Sequence, residues 1–178
     1  MKYKVFNKNH ETRGGTILPY KDSLNLKNYA DIFARHGLAK VDARKWYPMS
    51  QLVDVFNEMA DTSGMMDFVS LGMKMGENVP LPPELANMSF FDLVNGLEQT
   101  YNHNHRGSDI GYIRGEVVNN NHVIAHYRTP YPDDLLYGSM YGYARKFLPK
   151  GTKITVKYDE RSKRMEQSGR ETVIHVTW

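Results

Sequence analysis

The chain contains no cysteine among its 178 residues. This absence excludes a disulfide framework, a thiolate zinc site, a cysteine-held iron–sulfur cluster and a thiolate nucleophile. Long apolar runs are missing too: no window approaches the roughly 18 uncharged apolar residues of a membrane span, so we expect no membrane-spanning helix. The amino terminus lacks the apolar core of a signal peptide, and the sequence therefore predicts a cytoplasmic protein.

The residues that are present are typical of a folded domain. Hydrophobic residues make up 40% of the chain, and 12 Tyr and 7 Phe supply bulky core material. A chain of this length can bury roughly 70% of its unfolded surface and needs no metal or disulfide to fold. We predict one domain over residues 1–178, with an arm or an irregular strand at 1–22, a helical part at 23–105 and a sheet-plus-helix part at 108–178.

Positive charge is concentrated towards the carboxyl terminus. The formal net charge is only +3, but the segment Arg145–Arg170 holds nine basic and three acidic residues. Such a segment could bind an anionic partner. No aromatic stacking platform or recognition helix accompanies it, so a solvated surface is the favoured interpretation and no nucleic-acid partner is expected.

Apolar residues at helical spacing predict four helices before residue 105. These helices run from Asp22 or Ser23 to about Arg35, from Met49 or Ser50 onward, from about Met65 to Gly76, and from the N-cap Ser89 to about Asn104. The run Pro80-Leu81-Pro82-Pro83 breaks the chain between the last two helices.

The hydrophobic period changes to that of strands after residue 104. Two strands are predicted at Gly111–Val118 and His122–Thr129, a helix from Pro132 to about Phe147, and two more strands at Lys153–Tyr158 and Thr172–Trp178. Strand pairs separated by a helix predict an α+β fold, in which N-terminal helices pack with a four-stranded antiparallel sheet of two hairpins linked by a helix.

Several motifs in the C-terminal half carry a family resemblance. They are Tyr101–Arg106 (YNHNHR) at a helix end, Tyr127–Pro132 (YRTPYP) after a strand, Gly138, Gly142–Ala144 and Phe147 on the next helix, and Gly169 before the closing strand Val173–Trp178. This half is similar to the four-vinyl reductase group, in the superfamily of haem–nitric oxide binding domains and phenol-responsive sensor domains. The resemblance implies helices on one side of the sheet, a largely apolar pocket between the layers, and a homodimer.

The sequence departs from that superfamily where its relatives hold cofactors. The phenol-sensing relatives hold zinc with cysteines, and the corresponding positions here are Asp133, Arg161, Lys163 and Thr172. The haem-binding relatives use a helix His and a Tyr-x-Ser-x-Arg motif, whereas this chain has Tyr127, Thr129 and Tyr131 for the motif and Glu98 and Tyr101 on the helix. These departures argue against zinc and against haem, so we expect no cofactor.

Neither a metal site nor a catalytic site is predicted. His103, His105 and Asp109 could ligate a metal, as could His122 with His126. A polar helix end accounts for the first group, and a surface position beside the Asn turn accounts for the second. No nucleophile elbow, phosphate-binding loop or zinc-protease motif is present, so an enzyme is not favoured.

Aromatic residues and ten methionines are typical of a plain core, and together with the family resemblance they indicate a ligand pocket equally well. The predicted ligand-binding residues are Trp46, Phe56, Phe68, Tyr101, Tyr127, Met140 and Tyr143, with Trp46 closing the site. Helical spacing does not distinguish a pocket from a core, so a plain core stays open as an alternative.

We therefore predict a cytoplasmic sensor or carrier domain that binds a small apolar or aromatic molecule. It would act in signalling through a partner protein that the sequence does not identify. Two alternatives stay open: a protein-interaction module with a closed core, and a tetrapyrrole or haem binder or enzyme.

Overall fold

The computed structural model describes residues 2–23, 27–63, 67–79 and 87–178. The helices are α1 Gly14–Ser23, α2 Lys27–Arg35, α3 Met49–Ser63, α4 Phe68–Glu77, α5 Phe90–Asn95, α6 Leu97–Asn104 and α7 Asp133–Phe147. The strands are β1 Glu11–Arg13, β2 Trp46–Pro48, β3 His105–Arg106, β4 Tyr112–Asn119, β5 His122–Arg128, β6 Thr155–Tyr158 and β7 Thr172–Thr177.

The larger sheet confirms the predicted α+β class and the two hairpins. Its four antiparallel strands lie in the order β4-β5-β7-β6, and α7 connects the hairpin β4–β5 to β6 and β7. In β7 the side chains of Ile174 and Val176 are fully buried while Val173 and His175 are only partly buried. One face of the sheet therefore packs on the core, as alternation in an antiparallel strand requires.

Helices α4 and α7 touch through their backbones. Gly72 and Gly76 on α4 face Gly138 and Gly142 on α7. A Cβ atom at Gly72 would lie 2.1 Å from the Leu135 carbonyl oxygen, and one at Gly142 would lie 2.3 Å from the Met73 carbonyl oxygen. Only glycine fits at this contact, and the contact attaches the helical part to the helix that lies on the sheet.

Helix α3 carries the predicted buried stripe. Leu52, Val55, Phe56 and Met59 are all fully buried, as their helical spacing predicts. The same helix ties down the amino-terminal segment, because the Asn57 side chain accepts hydrogen bonds from the N–H groups of Lys2 and Tyr3 and donates one to the Tyr3 carbonyl.

Residues 1–22, predicted as an arm or an irregular strand, contain the short strand β1 and most of a helix, α1, that was not predicted. The sequence Gly14-Gly15 and the internal Pro19 disfavour a helix by propensity. Ile17 and Tyr20 on α1 are nevertheless buried in the core. Tertiary burial therefore outweighs the local preference, and α1 is a helix that the sequence did not predict.

The helix predicted from Asp22 or Ser23 to Arg35 is present as α2, which begins at Lys27, and α1 precedes it as an additional helix that ends at Ser23. The helix start near Met65 and the break at Pro80–Pro83 lie at or beyond the edge of the described ranges.

The predicted helix from Ser89 to Asn104 is interrupted at Gly96. Ser89 is confirmed as the N-cap, and it forms a capping box with Asp92. Gly96 then ends α5, with its N–H bonded to the carbonyls of Asp92 and Leu93, and α6 begins directly after it. A glycine inside an apolar helical pattern is the local signal for such an interruption.

A second, smaller sheet was not predicted. Its antiparallel strands lie in the order β2-β1-β3, with Thr12 opposite both Tyr47 and His105. The Met49 N–H at the start of α3 donates to the His10 carbonyl oxygen at 2.8 Å. This sheet therefore brings the segment around His10 against the end of α6.

No helix within the described ranges is long and apolar enough to cross a membrane.

Candidate ligand-binding cavity

A cavity of about 600 Å³ lies between the helices and the larger sheet. Its wall is formed by residues of α1, of α4 and the turn after it, of α6, of β4 and β5, and of α7. Leu97, Ile113, Leu135 and Leu136 contribute apolar surface. Both the volume and the mostly apolar wall are those of a small-molecule site in a protein.

Five tyrosines line the cavity: Tyr20, Tyr101, Tyr127, Tyr131 and Tyr143. Burial raises the pKa of each hydroxyl, so all five are neutral near pH 7. The Tyr101 hydroxyl donates to the Ile110 carbonyl oxygen.

Two of these tyrosines have a free hydroxyl. Among the described residues, no hydrogen bond engages the hydroxyl of Tyr127 or Tyr143. These two groups are therefore available to a ligand that occupies the cavity.

A buried histidine pair forms the polar end of the cavity. His105 follows α6 and lines the cavity, and its Nδ1 lies 2.9 Å from Nε2 of His10. Its Nε2 lies 3.2 Å from the Tyr131 hydroxyl, and the Tyr101 ring stacks on it with centroids 4.1 Å apart.

Both imidazoles of this pair are neutral. Burial lowers the pKa of His105 to about 3, with a further contribution from His10, and burial lowers the pKa of His10 to about 4. A neutral imidazole is the form that ligates metals and exchanges hydrogen bonds in both directions.

The exposed Asp22 is the one charged residue among the described residues that line the cavity, and two further charged groups, Arg128 and Asp109, are engaged with each other. Arg128 donates to both carboxylate oxygens of Asp109, at 2.6 and 3.0 Å, and this contact lowers the pKa of Asp109. The Arg128 guanidinium also lies 4.2 Å from the centre of the Phe6 ring. No lysine or arginine is among the described residues that line the cavity.

Three of the seven predicted site residues line the cavity: Tyr101, Tyr127 and Tyr143. Phe56, Phe68 and Met140 are buried in the core and are not among the described lining residues. The Phe56 ring packs against Tyr20 and Tyr131 from behind, with centroids 5.3 and 6.0 Å apart, so it supports the wall.

Trp46 does not close the cavity. It lies in β2, where its ring packs against the guanidinium groups of Arg13 and Arg106. The prediction that Trp46 closes the pocket is wrong, because the small sheet, which was not predicted, holds Trp46 away from the described lining residues.

The predicted ligand-binding set lacks four aromatic or imidazole side chains at the cavity: His10, Tyr20, His105 and Tyr131. His105 was assigned to a polar helix end. His10 and Tyr20 fell in the segment predicted as an arm. Tyr131 could have been predicted from the sequence. Tyr127, Thr129 and Tyr131 are two residues apart, so they lie on the same side of an extended segment.

The histidines considered as metal ligands do not converge. His103 is exposed and lies 3.1 Å from a guanidinium nitrogen of Arg13, whereas His105 is buried. His122 pairs with His175 on the outer face of the sheet at 2.9 Å. Within the described part of the chain, no three His, Asp or Glu side chains are grouped to hold a metal ion.

Solved structures of H-NOX domains share this fold. An H-NOX protein from S. oneidensis in the Fe(II)NO ligation state matches with a TM-score of 0.67 and 16% identity, over 92% of this chain and 97% of its own. A structure concerned with heme redox potential and porphyrin distortion matches with a TM-score of 0.66 and 12% identity, over 93% and 99% of the two chains. No protein-family model and no curated protein matches the chain.

A further H-NOX structure, concerned with heme distortion in that family, matches with a TM-score of 0.68 and 11% identity, over 93% of this chain and 94% of its own. At such identities the likeness shows the fold. The predicted resemblance to haem–nitric oxide binding domains is thereby confirmed at the level of the fold.

The expectation of no cofactor, which rested on departures that argue against haem, is contradicted by these neighbours. They are H-NOX structures concerned with heme redox potential, heme distortion and an Fe(II)NO state. The sequence argument required a histidine at the helix position of Tyr101. The structure instead places a different neutral imidazole, that of His105, on the cavity wall.

The residues of the cavity fit a haem in two respects. His105 is a neutral imidazole on the wall, and its second nitrogen is held by another residue, as in most metal-ligating histidines. The wall is mostly apolar. Because no lysine or arginine is among its described residues, haem carboxylates inside the cavity would be met by hydroxyls such as those of Tyr127 and Tyr143.

Proposed function

We propose that this protein is a small-molecule sensor domain whose ligand occupies the cavity between helices and sheet, with a haem-type tetrapyrrole as the first candidate ligand. The observation that carries the proposal is a neutral imidazole, that of His105, beside free tyrosine hydroxyls on the wall of a cavity of about 600 Å³. The H-NOX fold supports it, because the neighbours with this fold are haem proteins.

Each group on the wall has a part in this proposal. The Nε2 atom of His105 would hold the haem iron, and the stacked Tyr101 ring restricts the orientation of the imidazole. The hydroxyls of Tyr127 and Tyr143 would donate to oxygen atoms of the ligand. A bound haem would supply an iron able to bind a diatomic gas. The residues of the cavity wall would set the reduction potential of that iron.

The test is a titration of the purified protein with haemin, followed by absorption spectroscopy. We expect saturable binding at one haemin per chain, and loss of the histidine-ligated spectrum in His105→Ala. His103→Ala is the matched control, because His103 is exposed and should leave the spectrum unchanged. A wild-type spectrum identical to that of His105→Ala would remove His105 as the ligand.

A second pair of variants tests the cavity without touching the histidines. Tyr143→Ala removes a lining residue, whereas Tyr141→Ala removes the same side chain two positions away, where it is not among the described lining residues. We expect Tyr143→Ala to weaken haemin binding by about tenfold, beyond any loss of stability shared with Tyr141→Ala. Equal effects of the two variants on binding and on stability would make Tyr143 a core residue only.

The ligand itself can be sought in the purified protein. Native mass spectrometry, compared with the denatured mass, reports any bound small molecule and the number of chains per particle. An added mass other than haem would keep the sensor proposal and replace the ligand. Signalling through a partner protein and assembly as a homodimer remain parts of this proposal, and a monomer in that spectrum would remove the dimer.

The alternative of an interaction module with a closed core is not favoured. A cavity of about 600 Å³ with free hydroxyls on its wall is a binding site that a closed core would lack.

A further inference from the structure

The histidine pair at the end of the cavity has one unpartnered atom. His10 and His105 are 1% and 4% exposed, and Nε2 of His10 lies 2.9 Å from Nδ1 of His105. The other nitrogen of His10, Nδ1, is buried with no hydrogen-bond partner in the described part of the chain. This asymmetry decides where the protons of the pair reside.

A neutral imidazole carries one N–H group and one lone pair. If the proton of His10 were on Nδ1, a buried donor would lack an acceptor, while Nε2 would accept from His105. If the proton is on Nε2, it donates to Nδ1 of His105 and only a lone pair is left unpartnered. A buried donor without an acceptor is the costlier defect, so the second arrangement is favoured by on the order of tenfold.

The proton position of His10 then fixes that of His105. Since Nδ1 of His105 accepts from His10, the single proton of His105 is on Nε2. There it donates to the Tyr131 hydroxyl oxygen, 3.2 Å away. The hydrogen bonds thus run in one direction, from His10 through His105 to Tyr131 at the cavity.

We infer that His10 is a positioning residue that selects the tautomer of His105, so that without a ligand His105 presents an N–H rather than a lone pair on its Tyr131 side. The inference rests on the proposed function, because it concerns the same site. A ligand with an acceptor oxygen meets this tautomer as it stands. Coordination of a metal by Nε2 requires the opposite tautomer, which returns the proton of His10 to the unpartnered Nδ1.

The backbone holds the pair in place. His10 immediately precedes β1, His105 is the first residue of β3, and Thr12 pairs with His105 across the small sheet. The stacked Tyr101 ring restricts rotation of the His105 ring. The selection therefore depends on the side chain at position 10 rather than on movement of His105.

The direct test is nitrogen NMR of the imidazoles in ¹⁵N-labelled, ligand-free wild-type protein near pH 7. We expect the signals of a protonated Nε2 and an unprotonated Nδ1 for both His10 and His105. A protonated Nδ1 on His105 would overturn the inference. This measurement needs no haem and no variant, so it remains decisive if a variant fails to fold.

The second arm compares haemin affinity in wild type, His10→Met and His103→Met. A methionine at position 10 has a thioether sulfur that can accept weakly from Nδ1 of His105, and it has no N–H group that could be left without a partner. We therefore expect His10→Met to bind haemin about tenfold more tightly, and the exposed control His103→Met to match wild type. Equal affinity in wild type and His10→Met would show that His10 does not control coordination.

The two arms separate failure of the inference from failure of the proposed function. Absence of haemin binding in all three proteins, together with the expected nitrogen signals, would refute the haem ligand and leave the tautomer selection standing. The reverse result, haemin binding with a protonated Nδ1 on ligand-free His105, would refute the selection and leave the haem ligand standing.

Discussion

At the scale of single residues, the polar end of the cavity depends on the burial of two imidazoles. His10 and His105 lose their hydration when they are buried. They share one hydrogen bond, and His105 forms a second one with the Tyr131 hydroxyl. Burial lowers the pKa of both, to about 4 and about 3, from an ordinary value of 6.5. Their charge state therefore couples to folding.

The stability of the protein should fall as the pH decreases below 6.5. In the unfolded chain these histidines take up protons near pH 6.5, whereas in the folded protein they stay neutral until about pH 4 and about pH 3. Above pH 6.5 the two histidines are neutral in both states and do not lower the unfolding free energy. As the pH decreases from 6.5 towards those lower values, protonation of the unfolded chain lowers the unfolding free energy progressively. We expect the pair to cost about 2 to 4 kcal/mol of unfolding free energy between pH 7 and pH 5.

Urea denaturation at pH 7 and at pH 5 measures this loss. His10→Gln serves as the comparison, because it removes one of the two titrating groups and should show a smaller decrease. A wild-type free energy that is the same at both pH values would contradict the burial of neutral histidines.

The sequence indicated only part of the site at this scale. Tyr101, Tyr127 and Tyr143 could be predicted because helical spacing and the strand pattern placed them on buried faces. His10 could not, because its role depends on a partner 95 residues away, and no local pattern reports such a pairing. Trp46 was misplaced for a different reason. It lies in β2, and a strand of three residues is too short to show a pattern that predicts it.

At the scale of elements, the glycine contact between α4 and α7 connects the two layers that enclose the cavity. Met75 and the turn after α4 form one side of the cavity, and Tyr143 on α7 forms another. The distance between these walls is set by backbone contact at the glycines, so the cavity width depends on residues that do not line it.

Gly72→Ala should therefore destabilise the protein by about 2 to 4 kcal/mol, because a Cβ atom 2.1 Å from the Leu135 carbonyl oxygen forces the helices apart. Gly15→Ala is the control. It is also a helical glycine, but its Cβ would lie 3.4 Å from the nearest atom, the Ala43 carbonyl oxygen. Urea denaturation of both variants checks the prediction, and equal stability of Gly72→Ala and wild type would contradict it.

Elements with complete local signals were predicted well. The capping box at Ser89 and the alternation of β5 and β7 are encoded in neighbouring residues, and both are present. Helix α1 was missed because Gly14, Gly15 and Pro19 oppose a helix locally. Its stability comes from burial of Ile17 and Tyr20 against distant parts of the chain.

At the scale of the whole molecule, the amino-terminal segment runs across the helical part from α3 to the end of α6. Its first residues bind Asn57 on α3, and β1 then pairs with β2 and β3. Residues that the sequence presented as an arm therefore complete the polar end of the cavity.

Asn57→Ala should loosen this segment. The buried side chain makes three hydrogen bonds to the backbone of Lys2 and Tyr3, so its loss should lower the unfolding free energy by about 2 kcal/mol. Amide hydrogen exchange measures the local effect, which should be faster exchange in residues 2–13 than in β5 or β7. Uniform protection in the variant and in wild type would show that the segment is held by other contacts.

The separation of 95 residues between the two buried histidines also has a consequence for biosynthesis. A contact between such distant positions forms only after the intervening chain is available, and closing that long loop is slow compared with local helix formation. The polar end of the cavity further requires Tyr131, so a ribosome must release at least that much of the chain before the site exists. We therefore expect ligand loading to follow synthesis, and a nascent chain stalled before residue 131 emerges should retain no haemin.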